Sequence, residues 1–128
     1  MIDHTSVNVA DFDRAKTFYA AALEPLGIGL LMDMSKVEAG ERRAAGFGAE
    51  GVPFFWIAES PLPGSGIHVA FRAASRADVA AFHKAATEAG GEDNGGPGLR
   101  PHYHPNYYAA FVLDADGNNI EAVSHHPE

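Results

Sequence analysis

The sequence predicts an α+β protein built from two similar halves, each a strand, a helix and about three further strands. One indication is that an alternating run at residues 2–9 resembles a second run at residues 67–72. Another is a series of matches at a constant spacing of 64 positions, which indicates an internal duplication. A linker rich in proline and glycine separates the halves. The matched pairs are His4 with His68, Ala10 with Ala74, Phe18 with Phe82, Ala21 with Ala85, Ala22 with Ala86, Glu24 with Glu88 and Gly27 with Gly91.

The length and composition fit one small domain with no nucleic-acid or membrane partner. The chain has 128 residues, which predicts a single domain spanning 1–128, with module one at 1–60 and module two at 66–124. A formal net charge of −8 argues against nucleic acid, because phosphate binding needs clustered lysine and arginine. There is no cysteine, so no disulfide framework and no thiol nucleophile. No signal peptide or membrane-spanning run is present, which favours a cytoplasmic location.

Local signals place the elements of both halves. Asp11 is a predicted N-cap for the first helix, and Pro25 with Gly27 ends it. Ser75 is the corresponding N-cap in the second half, where a Gly-Gly pair stops the helix. An Asp-Gly turn at residues 114–117 precedes the last strand. Beyond the runs at 2–9 and 67–72, strands are predicted at 28–34, 41–48, 52–59, 107–113 and 119–124.

Three polar residues on predicted strands could form a metal site. His4 and His68 are equivalent under the duplication, and the alternation puts both on faces opposite the apolar ones. Glu121 lies in the last strand. Two imidazoles and a carboxylate can hold a divalent transition metal and leave positions open for a substrate. In the alternative interpretation, the histidines are ordinary polar strand residues and Glu121 is a surface carboxylate.

The residues around Glu121 also carry a resemblance to a known family. The run at 114–121, Asp-Ala-Asp-Gly-Asn-Asn-Ile-Glu, resembles the closing motif of the vicinal oxygen chelate superfamily. This group contains glyoxalase I, extradiol dioxygenases, fosfomycin-resistance transferases and bleomycin-resistance proteins. The opening Ile-Asp-His, the run from Asp11 to Tyr19 and the histidine early in module two are also similar to it. The resemblance covers essentially the whole chain.

The resemblance implies the glyoxalase/bleomycin resistance/dihydroxybiphenyl dioxygenase-like fold, in which two βαβββ modules form a cupped mixed sheet around a divalent metal. It assigns the ligand role to His4, His68 and Glu121, with Fe, Mn, Ni or Zn as the metal. Glyoxalase I uses a fourth, acidic ligand near the end of module one. Here the strand at 52–59 has no acid before Glu59. The three-ligand pattern is closer to the dioxygenases and the fosfomycin-modifying transferases.

Other residues are candidates for substrate binding and proton transfer. Asn8 and Arg72 each lie four positions beyond a ligand histidine; they could bind an anionic group or pair with a local carboxylate. An aromatic group of Trp56, Tyr107 and Tyr108 could line a pocket, or simply pack in the core. The loop residues His102, Tyr103 and His104 are the candidate catalytic residues.

Two functions remain open at this point. The first is a small metal-dependent enzyme, of lyase, isomerase, dioxygenase or thiol-transferase type, that binds an oxygen-bearing substrate through the metal. The second is a non-catalytic protein that sequesters a small molecule in an aromatic cleft. By analogy with the superfamily we expect a homodimer, whose modules pair within one chain or swap between chains.

Overall fold

The fold consists of two modules, each with one helix and one sheet. The computed structural model describes residues 1–128. Module one contains β1 (Thr5–Val9), α1 (Phe12–Leu23), a short 3-10 turn (Glu24–Leu26), β2 (Gly29–Met34), β3 (Ala44–Ala49) and β4 (Val52–Glu59). Module two contains β5 (His68–Arg72), α2 (Arg76–Glu88), β6 (Glu92–Asp93), β7 (Gly98–Leu99), β8 (Tyr108–Leu113) and β9 (Asn119–Ser124).

The two sheets have matching topologies. In module one the strand order is β1-β4-β3-β2, and β1 runs parallel to β4. In module two the order is β5-β9-β8-β6, and β5 runs parallel to β9, while β7 pairs with β8. In both modules the first strand therefore lies beside the last one. The predicted α+β fold with two βαβββ modules is confirmed.

Both helices begin at the predicted caps. The Asp11 carboxylate accepts a hydrogen bond from the backbone N–H of Arg14, at 3.1 Å, and the Ser75 hydroxyl accepts one from the N–H of Asp78, at 3.1 Å. These caps satisfy backbone donors that have no partner within the helix. The 3-10 turn ends at Gly27, whose φ of 76° is in the left-handed region that favours glycine.

One core joins the modules through their helix-covered faces. A cluster of 22 buried residues draws on both modules. An aromatic series crosses between them, because the Phe55 ring lies 5.1 Å from Tyr19 on one side and 5.1 Å from Phe71 on the other. The opposite face of each sheet carries no helix, and we call it the open face. Since the helix-covered faces share one core, the two open faces lie on its outside.

Two strands begin three residues later than the sequence predicts. Pairing of β1 with β4 begins at Thr5 opposite Phe55, so residues 2–4 precede the strand and stand exposed. His4 is therefore just outside the strand in which it was predicted. Strand β3 begins at Ala44 rather than at residue 41. Its pairing with β4 starts at Ala44, opposite Ala58. No helix in the structure could span a lipid bilayer, since the longest has 13 residues.

Candidate functional site

A histidine and a glutamate meet on the open face of module two. Because β5 and β9 are parallel neighbours, His68 pairs in register with Asn119, and Glu121 follows two residues later on the same face. His68 Nε2 lies 2.9 Å from Glu121 Oε1. The Glu121 side chain is 3% exposed and the His68 side chain 49% exposed. The pair thus combines a buried carboxylate with an accessible imidazole.

The hydrogen bond of the second ring nitrogen of His68 determines which nitrogen carries the hydrogen. Nδ1 lies 3.1 Å from the backbone carbonyl oxygen of Asn119, which only accepts hydrogen bonds, so Nδ1 carries a hydrogen. In the neutral ring, Nε2 then presents a lone pair toward the Glu121 carboxylate. Two such acceptors at this distance repel unless a cation lies between them, either a proton or a metal ion. Orientation of a histidine by a backbone carbonyl is typical of metal ligands.

The separation of these two atoms fits a metal ion. Imidazole nitrogen and carboxylate oxygen bind first-row metals at about 2.1 Å, so two such ligands at right angles lie roughly 3 Å apart. The observed 2.9 Å between His68 Nε2 and Glu121 Oε1 is compatible with that geometry and is also the length of an ordinary hydrogen bond. No group of three or more metal-binding side chains occurs within the chain. The structure therefore brings together two of the three predicted ligands.

Tyr107 holds the other oxygen of the glutamate. Its hydroxyl donates to Glu121 Oε2 at 2.5 Å. Burial, together with this hydrogen bond, raises the pKa of Tyr107 to about 12, so the hydroxyl remains a donor at neutral pH. The His68 ring lies over Phe111, with ring centroids 6.3 Å apart. Both carboxylate oxygens of Glu121 are thus held in place.

A pair of histidines, His104 and His125, contacts Tyr107 and so extends the group formed by His68, Glu121 and Tyr107. The backbone N–H of Asn106 donates to His104 Nδ1 at 3.1 Å, so His104 Nε2 carries the hydrogen and donates to His125 Nδ1 at 2.7 Å. Both rings contact Tyr107 edge-on, with centroids 5.4 and 5.3 Å away. Both nitrogens of His104 are engaged. His104 could act as a base only at Nδ1, so its hydrogen bond from Asn106 would first have to open.

The other catalytic candidates, His102 and Tyr103, lie on the surface beside this cluster. The His102 ring is 4.2 Å from that of Tyr103, which in turn is 4.9 Å from that of Tyr107. The cavity that contains both His68 and Glu121 is lined by module two alone, whereas a second cavity joins His68 and Arg72 to Asp3 and Thr5 of module one. The lining of the first cavity consists of His68, Tyr103, His104, Tyr107, Phe111, Asn119 and Glu121.

The candidates from module one do not join the His68–Glu121 pair. His4 is exposed, and its Nδ1 lies 2.7 Å from Asp3 Oδ1. Asn8 and Trp56 are on the open face of module one, where Trp56 packs over Gly46. The structure does not bring these three residues to the His68–Glu121 pair within one chain.

The remaining substrate-binding candidates have different positions. Arg72 is exposed on the open face of module two, four residues beyond His68. Tyr108 packs against the core, and the Arg76 guanidinium lies 5.2 Å from its ring centroid. Tyr108 is therefore on the helix-covered side and away from the pair.

Sequence reasoning missed His125 and Phe111 as members of the site. His125 was not among the candidate residues, although it shares the alternation of Glu121 and continues it by four positions. Phe111 is opposite Glu121 in the register of β8 and β9, which the sequence alone does not determine.

Comparisons with known proteins identify the family. A model described as Glyoxalase/Bleomycin resistance protein/Dioxygenase superfamily matches residues 1–122. The chain belongs to this superfamily, as its resemblance predicted. No curated protein sequence matches significantly.

Solved structures agree with this assignment. A glyoxalase/bleomycin resistance protein from Albidiferax ferrireducens T118 is 30% identical, with a TM-score of 0.76 over 97% of this chain and 98% of that one. Glyoxalase I from Zea mays is 23% identical, with a TM-score of 0.70 over 96% of this chain and 45% of that one. TioX from Micromonospora sp. ML1 is 16% identical, with a TM-score of 0.69 over 98% and 99%. The last two show similarity of fold alone.

Proposed function

We propose that this protein is a metal-dependent enzyme acting on a small oxygen-bearing substrate, and that it works as a homodimer. In this proposal one divalent ion, Fe, Mn, Ni or Zn, is held by His68 and Glu121 of one chain and by His4 of the partner subunit. The observation that carries the proposal is the pair of facing donor atoms, His68 Nε2 and Glu121 Oε1, 2.9 Å apart.

The arrangement of the modules supports a site shared between two chains. His4 is exposed and bonded to its neighbour Asp3, while the open faces of the two modules lie outside a common core. Apolar side chains are also exposed on β2 of module one. Leu30, Met32 and Met34 are 38%, 44% and 48% exposed. A second copy would cover apolar surface of this kind and could bring its histidine to the pair.

Each nearby residue has a definite role in this proposal. His68 and Glu121 bind the ion, and Tyr107 keeps the carboxylate in position. The bound metal would supply Lewis acidity to substrate oxygens, which stabilises developing negative charge. Arg72 binds a polar part of the substrate. The histidines and tyrosine of the 102–104 loop are the candidates for moving a proton, and His104 can accept one at Nδ1 only after its bond from Asn106 opens.

The second candidate is a protein that sequesters a small molecule without chemistry. The observation that favours it is the absence of a three-residue ligand group within the chain. In that case the partly exposed aromatic residue of the module one open face, Trp56, would bind the molecule.

Metal titration distinguishes the two functions. We expect the wild-type protein, reconstituted without oxygen, to bind one Fe(II), Mn(II), Ni(II) or Zn(II) per chain in calorimetry. His68→Ala and Glu121→Ala should each lose stoichiometric binding. His83→Ala is the matched control, because His83 lies on α2 bonded to Asp93 and should not affect binding. A wild-type protein that binds none of these metals would favour the sequestering function.

A further inference from the structure

A second polar pocket adjoins the candidate metal site. It is lined by Arg72, Ala73, His125 and His126, and no carboxylate lines it. The chain as a whole has a net charge of −8. The one formally charged residue of the pocket, Arg72, is therefore opposite in sign to the protein as a whole and can attract anions locally.

The Arg72 guanidinium is free to bind a ligand. It is exposed and forms no hydrogen bond or ion pair, whereas Arg43 binds Glu59 and Arg100 binds the carbonyl of Gly96. A guanidinium carries donors in a planar fork that matches the oxygens of a carboxylate or phosphate.

The histidine pair gives the pocket a second donor. Asn106 fixes the hydrogen of His104 on Nε2, and that hydrogen is donated to His125 Nδ1. In neutral His125 the remaining hydrogen is then on Nε2. Because an imidazolium also carries a hydrogen there, His125 offers an N–H donor in both charge states. The His104–His125 bond thus keeps His125 a donor toward ligands.

From these contacts we infer an anion subsite, formed by Arg72, His125 and His126, for a carboxylate or phosphate group of the ligand. The inference deepens the proposed function and rests on it for the role of the ligand. Arg72 lies four positions after His68 on β5, so their Cα atoms are about 13 Å apart. The substrate class is therefore a small molecule with metal-binding oxygens at one end and an anionic group at the other.

An NMR titration of the full chain tests the subsite. EDTA is present so that no metal ion can hold the anion, and inorganic phosphate and succinate are titrated separately against a chloride control. We expect saturable shifts of the His125 and His126 signals with at least one of the two anions. Arg72→Gln should weaken this binding at least tenfold. Arg42→Gln removes the same charge from an exposed site elsewhere and should leave it unchanged. The anion that binds more tightly identifies whether the subsite prefers a phosphate or a carboxylate group.

The inference is overturned if neither anion gives saturable shifts, or if Arg72→Gln binds as the wild type does. It is also overturned if Arg42→Gln weakens binding equally, because the effect is then general charge screening. Metal binding is measured in a separate titration. Loss of anion binding with intact metal binding would reject the subsite alone, and the reverse result would reject the metal site alone.

Discussion

The hydroxyl of Tyr107 donates to Glu121 Oε2, the carboxylate oxygen that His68 does not contact. This bond fixes the orientation of the carboxylate before any ion binds. Partners of this kind typically change metal affinity by 10–100-fold. We therefore expect Tyr107→Phe to weaken metal binding by roughly that factor and to leave the fold intact, as measured by competition with a chromophoric chelator.

Tyr103→Phe is the control for this variant, because Tyr103 is 59% exposed and its hydroxyl has no hydrogen-bond partner. Equal metal affinities for wild type and Tyr107→Phe would mean that the carboxylate is held without the tyrosine.

The turn before β9 depends on a second tyrosine–carboxylate bond. Buried Asp114 accepts hydrogen bonds from Tyr19, from the backbone N–H groups of Asp116 and Asn118, and from the Asn118 side chain. Tyr19→Phe leaves this buried carboxylate one donor short, so we expect a loss of about 1–3 kcal/mol in the free energy of unfolding. Denaturant unfolding measures it. Tyr108→Phe, whose hydroxyl has no partner, should have a much smaller effect.

The turn before β9 shows which part of the candidate site could be predicted from the sequence. The Asp-Gly turn signal and the alternation after it were enough to predict β9 and to place Glu121 on the same face as its neighbours two positions away. The pairing of β5 with β9 then brings His68 to it. The equivalence of His4 and His68 did not predict their relation in space, because alternation gives the face of a strand and not which module that face meets.

The His104–His125 bond was not predictable for a related reason. It joins His125, which continues the alternation of the last strand, to a loop that has no periodic pattern to fix its direction. The position of Tyr108 could not be predicted from the sequence either. Its neighbour Tyr107 precedes β8 and reaches Glu121, while Tyr108 begins β8 and turns to the core, so one residue of register separates the two roles.

Gly46 makes room for the single tryptophan. A Cβ at this position would lie 2.9 Å from the Trp56 ring, so Gly46→Ala must displace the indole. Overpacking of this kind costs about 1–3 kcal/mol. We expect a lower stability and a shifted emission maximum of Trp56, the only tryptophan in the chain. In Gly29→Ala, where the added Cβ meets nothing within 4 Å, the emission should stay as in the wild type.

The Arg43–Glu59 ion pair should make stability depend on pH. The hydrogen bond from Arg43 lowers the pKa of Glu59 below its usual 4.5. A carboxyl group whose pKa is lowered in the folded state stabilises the fold at pH values above its usual pKa. This stabilisation is lost as the pH falls through the folded-state pKa. The stability difference between wild type and Glu59→Gln should be largest at neutral pH and become smaller as the pH falls. Unfolding at pH 7 and pH 3 measures it, with Glu41→Gln as the exposed control. A difference as large at pH 3 as at pH 7 would assign the effect to packing.

The most direct test of the shared metal site is complementation between two inactive chains. His4→Ala and Glu121→Ala are co-expressed with different tags, and the mixed dimer is purified through both. In the shared arrangement, one of its two sites combines an intact His4 from one chain with an intact His68 and Glu121 from the other. We predict one tightly bound metal ion per mixed dimer, none for either variant alone and two for the wild-type dimer. A mixed dimer that binds no metal while the wild type binds two would show that all ligands come from one chain.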